Sequence, residues 1–147
     1  MSHIDCTFHL NNFQLDSPWG EDNVIFLLLW GEGMALELYD LDVDALGYLI
    51  SEIESGMRLS EEERREREVD ELLYQPPEPA PNKLRFVFDG LGSLQALYQP
   101  PDRLWQMVFE DGEDGSQAHV MMSTQQVSSL LERLKEKLRS GGDNDQQ

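Results

Sequence analysis

Two stretches of this chain repeat one order of sequence features, and this repeat constrains the fold more than any other feature. In each stretch, two segments with strand patterns, joined by a turn, precede a segment with apolar residues at helical spacing. Residues 23–56 match residues 103–137 in this order, although the residues themselves differ. The pattern is equally compatible with a duplication and with a local arrangement that many folds use, a hairpin followed by a helix.

The pattern predicts an α+β fold, in which two successive, mainly antiparallel β-strand/helix units form one pseudo-symmetric domain over residues 1–140. Unit one covers residues 1–57, unit two covers 83–140, and a polar tail follows at 141–147. The 147 residues are near the usual length of one domain. Residues 58–82 predict an inserted charged helix, either solvated or partly frayed, and then a stiff proline-rich connector.

Period-two alternation and turn residues define the expected strands. They cover residues 3–10, 13–15, 23–30, 34–41, 83–88, 93–98, 103–110 and 117–122. The strand over 23–30 is apolar without alternation, so we expect it to be buried on both faces. Asp42 is expected to cap the first long helix, and Gly56 to close it in the left-handed conformation. Ser123 begins a capping box for the last helix, which is expected to end at Arg139 before two glycines.

The charge of the chain is strongly negative and unevenly placed. The formal net charge is −18, and residues 1–57 contain eleven Asp and Glu but no Lys or Arg. A field of this sign repels phosphate backbones and anionic membranes and attracts basic surfaces. We therefore expect a protein partner with a basic surface, no nucleic acid and no membrane, although the same acidity also serves solubility.

No residue pattern in the chain points to a specific reaction, cofactor or metal. The run over residues 40–44 starts like a calcium loop but lacks the glycine and the bidentate glutamate that such a loop needs. In a strand Cys6 faces away from His3 and His9, so we expect Cys6 in the core rather than in a metal site. His119 has no serine or carboxylate placed beside it by spacing. We expect no catalytic residues and no enzyme activity.

The order of the elements resembles the Whirly-type duplicated fold and, more loosely, the SsgA-like sporulation regulators, which are small acidic proteins. The resemblance covers about Cys6 to Leu138 and includes the segment Cys6-Thr7-Phe8-His9-Leu10. Whirly proteins that bind single strands present basic and aromatic residues on their sheet, whereas this chain offers Glu37 and Asp40. The resemblance therefore implies a regulatory or structural adaptor that binds a protein.

The sequence predicts a non-catalytic, cytoplasmic protein that neutralises a basic protein partner. The first hypothesis is an inhibitor or immunity-type protein acting on a nuclease or nucleic-acid-binding protein, and the alternative is a Whirly/SsgA-like adaptor. The single cysteine and an N-terminus unlike a signal peptide favour the cytoplasm. An exposed edge strand would also allow a homodimer. The candidate partner-binding residues are Trp19, Glu21, Asp22, Glu37, Asp40, Asp42, Asp44, Glu61, Glu62, Glu66, Tyr74, Glu110, Asp111, Glu113 and Asp114.

Overall fold

Strands and helices are mixed along the chain, and the predicted α+β class is confirmed. The computed structural model describes residues 5–16, 25–59, 77–81, 83–99 and 104–145. The strands in these ranges are β1 (Asp5–His9), β2 (Asn12–Asp16), β3 (Ile25–Gly31), β4 (Met34–Leu41), β5 (Leu84–Phe88), β6 (Leu91–Gln99), β7 (Leu104–Asp111) and β8 (Gln117–Met122). The helices are α1 (Val43–Leu59) and α2 (Thr124–Asp145).

The strands form two four-stranded sheets that have the same internal arrangement. Sheet A has the order β1-β8-β7-β6, and sheet B has the order β2-β3-β4-β5. In each sheet three consecutive strands pair antiparallel, and the fourth strand pairs in parallel, β1 with β8 and β5 with β4. The sheets therefore exchange one strand relative to the sequence units, because β1 joins the strands of unit two and β5 joins those of unit one.

The chain passes from sheet A to sheet B between β1 and β2, where the two sheets touch. The amide of Leu10 donates to β8 at 2.8 Å, and the next amide, that of Asn11, donates to β3 at 2.8 Å. A Cβ atom on Gly31 would lie 1.9 Å from the carbonyl oxygen of His9. Only glycine allows the backbones to approach this closely, so Gly31 fixes the point of crossing.

One hydrophobic core contains side chains from both sheets and both helices. Alternate residues of β3 face this core: Leu27 and Leu29 are fully buried, whereas the residues between and beside them are half-buried. The prediction that this strand is buried on both faces is therefore wrong. Its second face belongs to the outer surface of sheet B, where Phe26 stacks on Tyr39 with ring centroids 5.7 Å apart.

Both helices begin where the sequence predicts, with side-chain caps on their first amides. The Asp42 Oδ1 atom accepts a hydrogen bond from the Ala45 amide at 2.8 Å. The Ser123 amide donates to Gln126 Oε1 at 2.9 Å, and the Gln126 amide donates to Ser123 Oγ at 3.2 Å, which completes the predicted capping box. Gln126 also donates through Nε2 to the carbonyl of Leu10 at 2.9 Å, so the cap ties α2 to the crossing between the sheets.

Both helices end later than predicted. Helix α1 continues through Gly56, where a Cβ would lie 2.9 Å from the Ala96 carbonyl oxygen and 3.1 Å from Trp105 Cζ3. This glycine therefore permits close packing of the helix on sheet A rather than a left-handed helix end. Helix α2 continues past Arg139 to Asp145, so the two glycines expected to follow the helix lie within it.

The connector between the two units is described only in part. The predicted charged helix over 60–74 lies outside the described residues, and 77–81 form neither helix nor strand. Asn11 Nδ2 donates to the Pro77 carbonyl at 2.6 Å, and the Lys83 amide donates to the Gly33 carbonyl at 2.7 Å. These bonds hold the connector against the crossing and align β5 with β4.

Candidate functional site

Exposed carboxylates from three separate segments converge at one end of the molecule: the first turn of α1, the β5–β6 connection and the β7–β8 turn. Because β4 and β5 run in parallel, with Leu38 opposite Phe88, both strands lead toward the same edge of sheet B, where β4 continues into α1 and β5 into the β5–β6 connection. The Gly112 amide of the turn donates to the Gly90 carbonyl of the connection at 2.9 Å. We name these exposed carboxylates the acidic end: Asp42, Asp44, Asp89, Glu113 and Asp114.

Tyr48 fixes the first turns of α1 beside the beginning of β6. The hydroxyl of Tyr48 accepts a hydrogen bond from the Leu94 amide at 3.1 Å and donates to the Leu94 carbonyl at 3.3 Å. Since β6 begins at Leu91, directly after the β5–β6 connection, this contact keeps the helix N-terminus near that connection. Asp42 uses one oxygen for the helix cap, while Asp44 is exposed in the first turn, where the helix dipole favours a negative charge.

The β7–β8 turn is held by two of its own carboxylates. Asp111 is buried, and its Oδ1 atom accepts from the Glu113 amide at 3.1 Å. Asp114 Oδ1 accepts a hydrogen bond from the Ser116 amide at 2.9 Å, and Gly115 adopts a left-handed φ of 75°. The backbone of the turn is thus fixed locally, and Glu113 is exposed at its tip.

Glu37 lies apart from the acidic end, on the outer face of sheet B. Its side chain is buried, the hydroxyl of Tyr39 donates to its Oε1 atom, and Arg85 Nε lies 2.5 Å from its Oε2 atom. The hydrogen bond to Glu37, and after it burial, raises the pKa of the Tyr39 hydroxyl. The carboxylate of Glu37 is therefore paired within the protein and does not add to the exposed negative surface.

The structure brings some of the predicted partner-binding residues together and separates others. The acidic end includes four of them: Asp42, Asp44, Glu113 and Asp114. Glu110 lies in the same hairpin, half-buried, and accepts from Gln117 Nε2 at 3.4 Å; Asp111 is buried beside it, and Asp40 lies in β4. The predicted residues that lie outside the described ranges are Trp19, Glu21, Asp22, Glu61, Glu62, Glu66 and Tyr74.

Asp89 is the member of the acidic end that the sequence patterns do not identify. The signal for a turn is present, because Asp89-Gly90 directly follows an apolar strand. What the sequence lacks is any indication that this turn lies beside the β7–β8 turn. The antiparallel pairing of β6 with β7, which sets Leu91 opposite Asp111, and the bond between Gly112 and Gly90 bring the two turns together.

Two histidines and the cysteine of sheet A lie outside the acidic end. His9 Nδ1 lies 2.9 Å from Glu32 Oε1, and His119 Nδ1 lies 2.6 Å from Gln106 Nε2. In the part of the chain that the structure describes, no group of three or more His, Cys, Asp or Glu is placed to hold a metal ion. Cys6 is buried, as predicted, and burial raises the pKa of its thiol to about 11, so it is protonated at neutral pH.

Comparison with known proteins identifies no relative. The chain matches no protein-family model, no curated protein and no solved structure. The likeness to the Whirly-type fold thus stays a prediction from the order of the elements. None of the described helices combines the length and the apolar character needed to cross a membrane.

Proposed function

We propose that the protein is a non-catalytic inhibitor or immunity-type protein that binds a basic protein, such as a nuclease or a nucleic-acid-binding protein, through the acidic end. One observation carries the proposal: five exposed carboxylates converge from three segments, and those segments contain no Lys or Arg. Carboxylates at this density attract a basic surface over long range and accelerate its association.

Two of the described cations support this assignment, because each is paired with a carboxylate outside the acidic end. Arg85 pairs with the buried Glu37 on sheet B. Lys135 of α2 lies 2.8 Å from Glu54, which belongs to the C-terminal half of α1, whereas the acidic end includes the N-terminus of that helix. The negative charge of the acidic end is therefore not cancelled by these pairs.

The geometry also suits a surface that neutralises a cationic groove. A nuclease binds phosphates with clustered Lys and Arg, and exposed carboxylates compete for the same side chains. The helix cap, the Tyr48 contact and the hydrogen-bonded turn hold the backbone of the acidic end in place before binding. A preformed surface loses little conformational entropy on association, so more of the electrostatic gain appears as affinity.

Capture of proteins from a lysate of the source cells tests the proposal. The bait is the full chain, and the comparison is a triple variant, Asp44→Asn, Asp89→Asn and Glu113→Gln, whose altered side chains accept no hydrogen bond that shapes the acidic end. We expect basic proteins on the wild-type chain at about 50 mM NaCl and their loss at about 500 mM, because salt screens exposed charges. The triple variant should capture them at least about tenfold less at low salt.

A matched control removes the same number of charges elsewhere. Glu78→Gln, Glu132→Gln and Glu136→Gln alter exposed carboxylates of the connector and α2. This control should retain capture, because the net charge changes equally while the acidic end is intact. Equal loss in both triple variants would show that only overall charge matters, and capture that is unchanged at high salt would contradict an electrostatic docking surface.

The proposal includes a cytoplasmic location. Cys6 is the single cysteine of the chain, so no internal disulfide forms, and its thiol is buried. A small domain that depends on one packed core and on no disulfide suits a reducing compartment. Fractionation of the source cells, followed by detection of the full chain, tests this location.

A further inference from the structure

The outer face of sheet A has a block of side chains without formal charge, in a chain of net charge −18. The register places Gln95, Val108 and His119 in one row across β6, β7 and β8, and Leu97, Gln106 and Met121 in the next row. We name these six residues the neutral face. Leu97 is 45% exposed and Gln95 is exposed, Gln106, His119 and Met121 are half-buried, and Val108 is buried.

Two polar side chains of the neutral face, Gln106 and His119, are hydrogen-bonded to each other, and Gln99 at the end of β6 extends this chain. Gln99 Nε2 donates to Gln106 Oε1 at 3.2 Å, and Gln106 Nε2 lies 2.6 Å from His119 Nδ1. Because the oxygen of Gln106 accepts from Gln99, its nitrogen donates to His119, whose Nδ1 atom must then be the unprotonated acceptor. Gln99, Gln106 and His119 thus form one directed chain of hydrogen bonds across three strands.

These properties lower the cost of removing the neutral face from water. A buried amide or imidazole is costly when it loses its hydrogen bonds, but Gln106 and His119 keep the bonds they already make. The cores of protein interfaces are depleted of charged residues, and Leu97 adds exposed apolar area. The neutral face therefore has the composition of an interface core.

We propose that the neutral face binds the neutral face of a second copy of this chain, forming a dimer with two-fold symmetry. Two copies of net charge −18 repel each other, so they associate only where neither presents charge. A basic partner, by contrast, is attracted to the acidic end. In a two-fold contact the same surface patch lies on both sides, and a patch without charge brings no like charges together.

The position of Glu110 selects one orientation for this dimer. Glu110 lies on the same face of β7 as Gln106 and Val108, in the row beyond Val108 toward the β7–β8 turn. A two-fold axis perpendicular to the strands places each Glu110 beyond the far end of the other copy's neutral face. An axis along the strands would bring the two Glu110 side chains together and is therefore excluded. The acidic ends then lie at opposite poles of the dimer and stay accessible.

Sedimentation equilibrium of the full chain at about 50 and about 500 mM NaCl tests the proposal. We expect a monomer–dimer equilibrium whose affinity increases with salt, because salt screens the repulsion between the copies and leaves the neutral contact unchanged. This response is opposite to that expected for a basic partner at the acidic end, so the two proposals stand or fall separately. A monomer at all concentrations, or a dimer weakened by salt, would overturn the proposed interface.

Two edge-strand leucines provide a matched pair of variants. Leu97→Asp places a charge on the neutral face, and Leu84→Asp places one on β5 of sheet B, where Leu84 is 55% exposed. We expect Leu97→Asp to weaken dimerisation by about tenfold or more and Leu84→Asp to leave it unchanged. The reverse result would locate the contact on β5 and reject the neutral face.

A third variant covers the case in which Leu97→Asp fails to fold. Gln95→Glu changes an exposed amide to a carboxylate of the same size and leaves the core untouched. The dimer of this variant should be weaker at low salt and partly restored at high salt, because the two introduced charges repel through solvent. Unchanged dimerisation of a folded Gln95→Glu protein at low salt would contradict the proposal.

Discussion

Glu32 joins the two sheets from a position that glycine would occupy with less strain. It adopts φ 54° in the β3–β4 turn, followed by Gly33 at φ 81°, so both central turn residues are left-handed. Its Oε1 atom accepts from the His9 amide at 2.5 Å and lies 2.9 Å from His9 Nδ1. The contact lies beside Gly31, at the crossing between the sheets, and so connects the hairpin of sheet B to the edge strand of sheet A.

The variant Glu32→Gln tests this connection through the pH dependence of the free energy of unfolding. The hydrogen bond from the His9 amide lowers the pKa of Glu32 below 4.5, despite the opposing effect of burial. A lowered pKa in the folded state stabilises the protein at pH above 4.5, and this contribution is lost as the pH falls through the folded-state pKa. Because Glu32 is partly exposed, we expect Glu32→Gln to cost about 0.5–1 kcal/mol at neutral pH and progressively less in acid.

Urea unfolding of the wild-type chain and of Glu32→Gln between neutral and acidic pH provides the measurement. The control is Glu78→Gln, which removes an exposed carboxylate of the connector and should not change the pH dependence. A difference between Glu32→Gln and wild type that stays constant into acid would rule out an ionised Glu32 as the stabilising form.

The environment of a single side chain depends on contacts with distant strands, which the alternation of apolar and polar residues within one strand does not reveal. Period-two alternation puts Ala35, Glu37 and Tyr39 on one face of β4. It also makes Glu37 a candidate for a partner surface, because no cation occurs nearby in the sequence. The partner of Glu37 is Arg85, which β5 brings alongside through parallel pairing. A pattern within one strand contains no information about which distant strand lies beside it.

Helix α1 shows that glycine serves two structural purposes, ending a helix and permitting close packing of a helix on a sheet. Its cap and its buried residues follow directly from local sequence, since Asp42 is a capping residue and the apolar spacing is helical. Its end does not, because Gly56 resembles a helix terminus but instead packs on sheet A. A glycine signal has two physical causes, backbone freedom and lack of volume, and the sequence does not separate them.

Two glycine-to-alanine variants in α1 separate these causes. At Gly47 an added Cβ would meet nothing within 4 Å, so Gly47→Ala should stabilise the protein by about 0.5–1 kcal/mol through helix propensity. At Gly56 the same Cβ meets the Ala96 carbonyl oxygen at 2.9 Å. Gly56→Ala should therefore destabilise by about 1–3 kcal/mol despite the equal gain in propensity. Thermal unfolding of both variants measures the contrast, and stabilisation by Gly56→Ala would show that the helix lies further from the sheet.

The charge of the whole molecule is organised by its topology rather than by the halves of the sequence. Residues 1–57 contain no cation, which predicts one negative half. In the structure the acidic end combines the start of α1, from unit one, with Asp89 and the β7–β8 turn, from unit two. The strands, the turns and the α+β class follow from local patterns. The acidic end does not, because it depends on the parallel β4–β5 pair and on the contact between two turns distant in sequence.

Repulsion among the carboxylates should also limit the stability of the folded chain, and salt should relieve it. Between about 50 and about 500 mM NaCl we expect the Tm to rise, because screening weakens repulsion between exposed like charges in the compact state. If the acidic end is a main source of the repulsion, the triple variant Asp44→Asn, Asp89→Asn and Glu113→Gln should have a higher Tm at low salt and a smaller rise with salt.

This comparison requires a control for charge number and a background that stays monomeric. The triple variant of Glu78, Glu132 and Glu136 to Gln removes the same charge from elsewhere, so it should retain a salt response closer to that of the parent chain. All proteins should also contain Leu97→Asp, because dimerisation through the neutral face would itself raise the Tm with salt and protein concentration. Equal salt responses of the two triple variants would mean that the repulsion is spread over the surface, in which case the acidic end is not a concentrated source of negative potential.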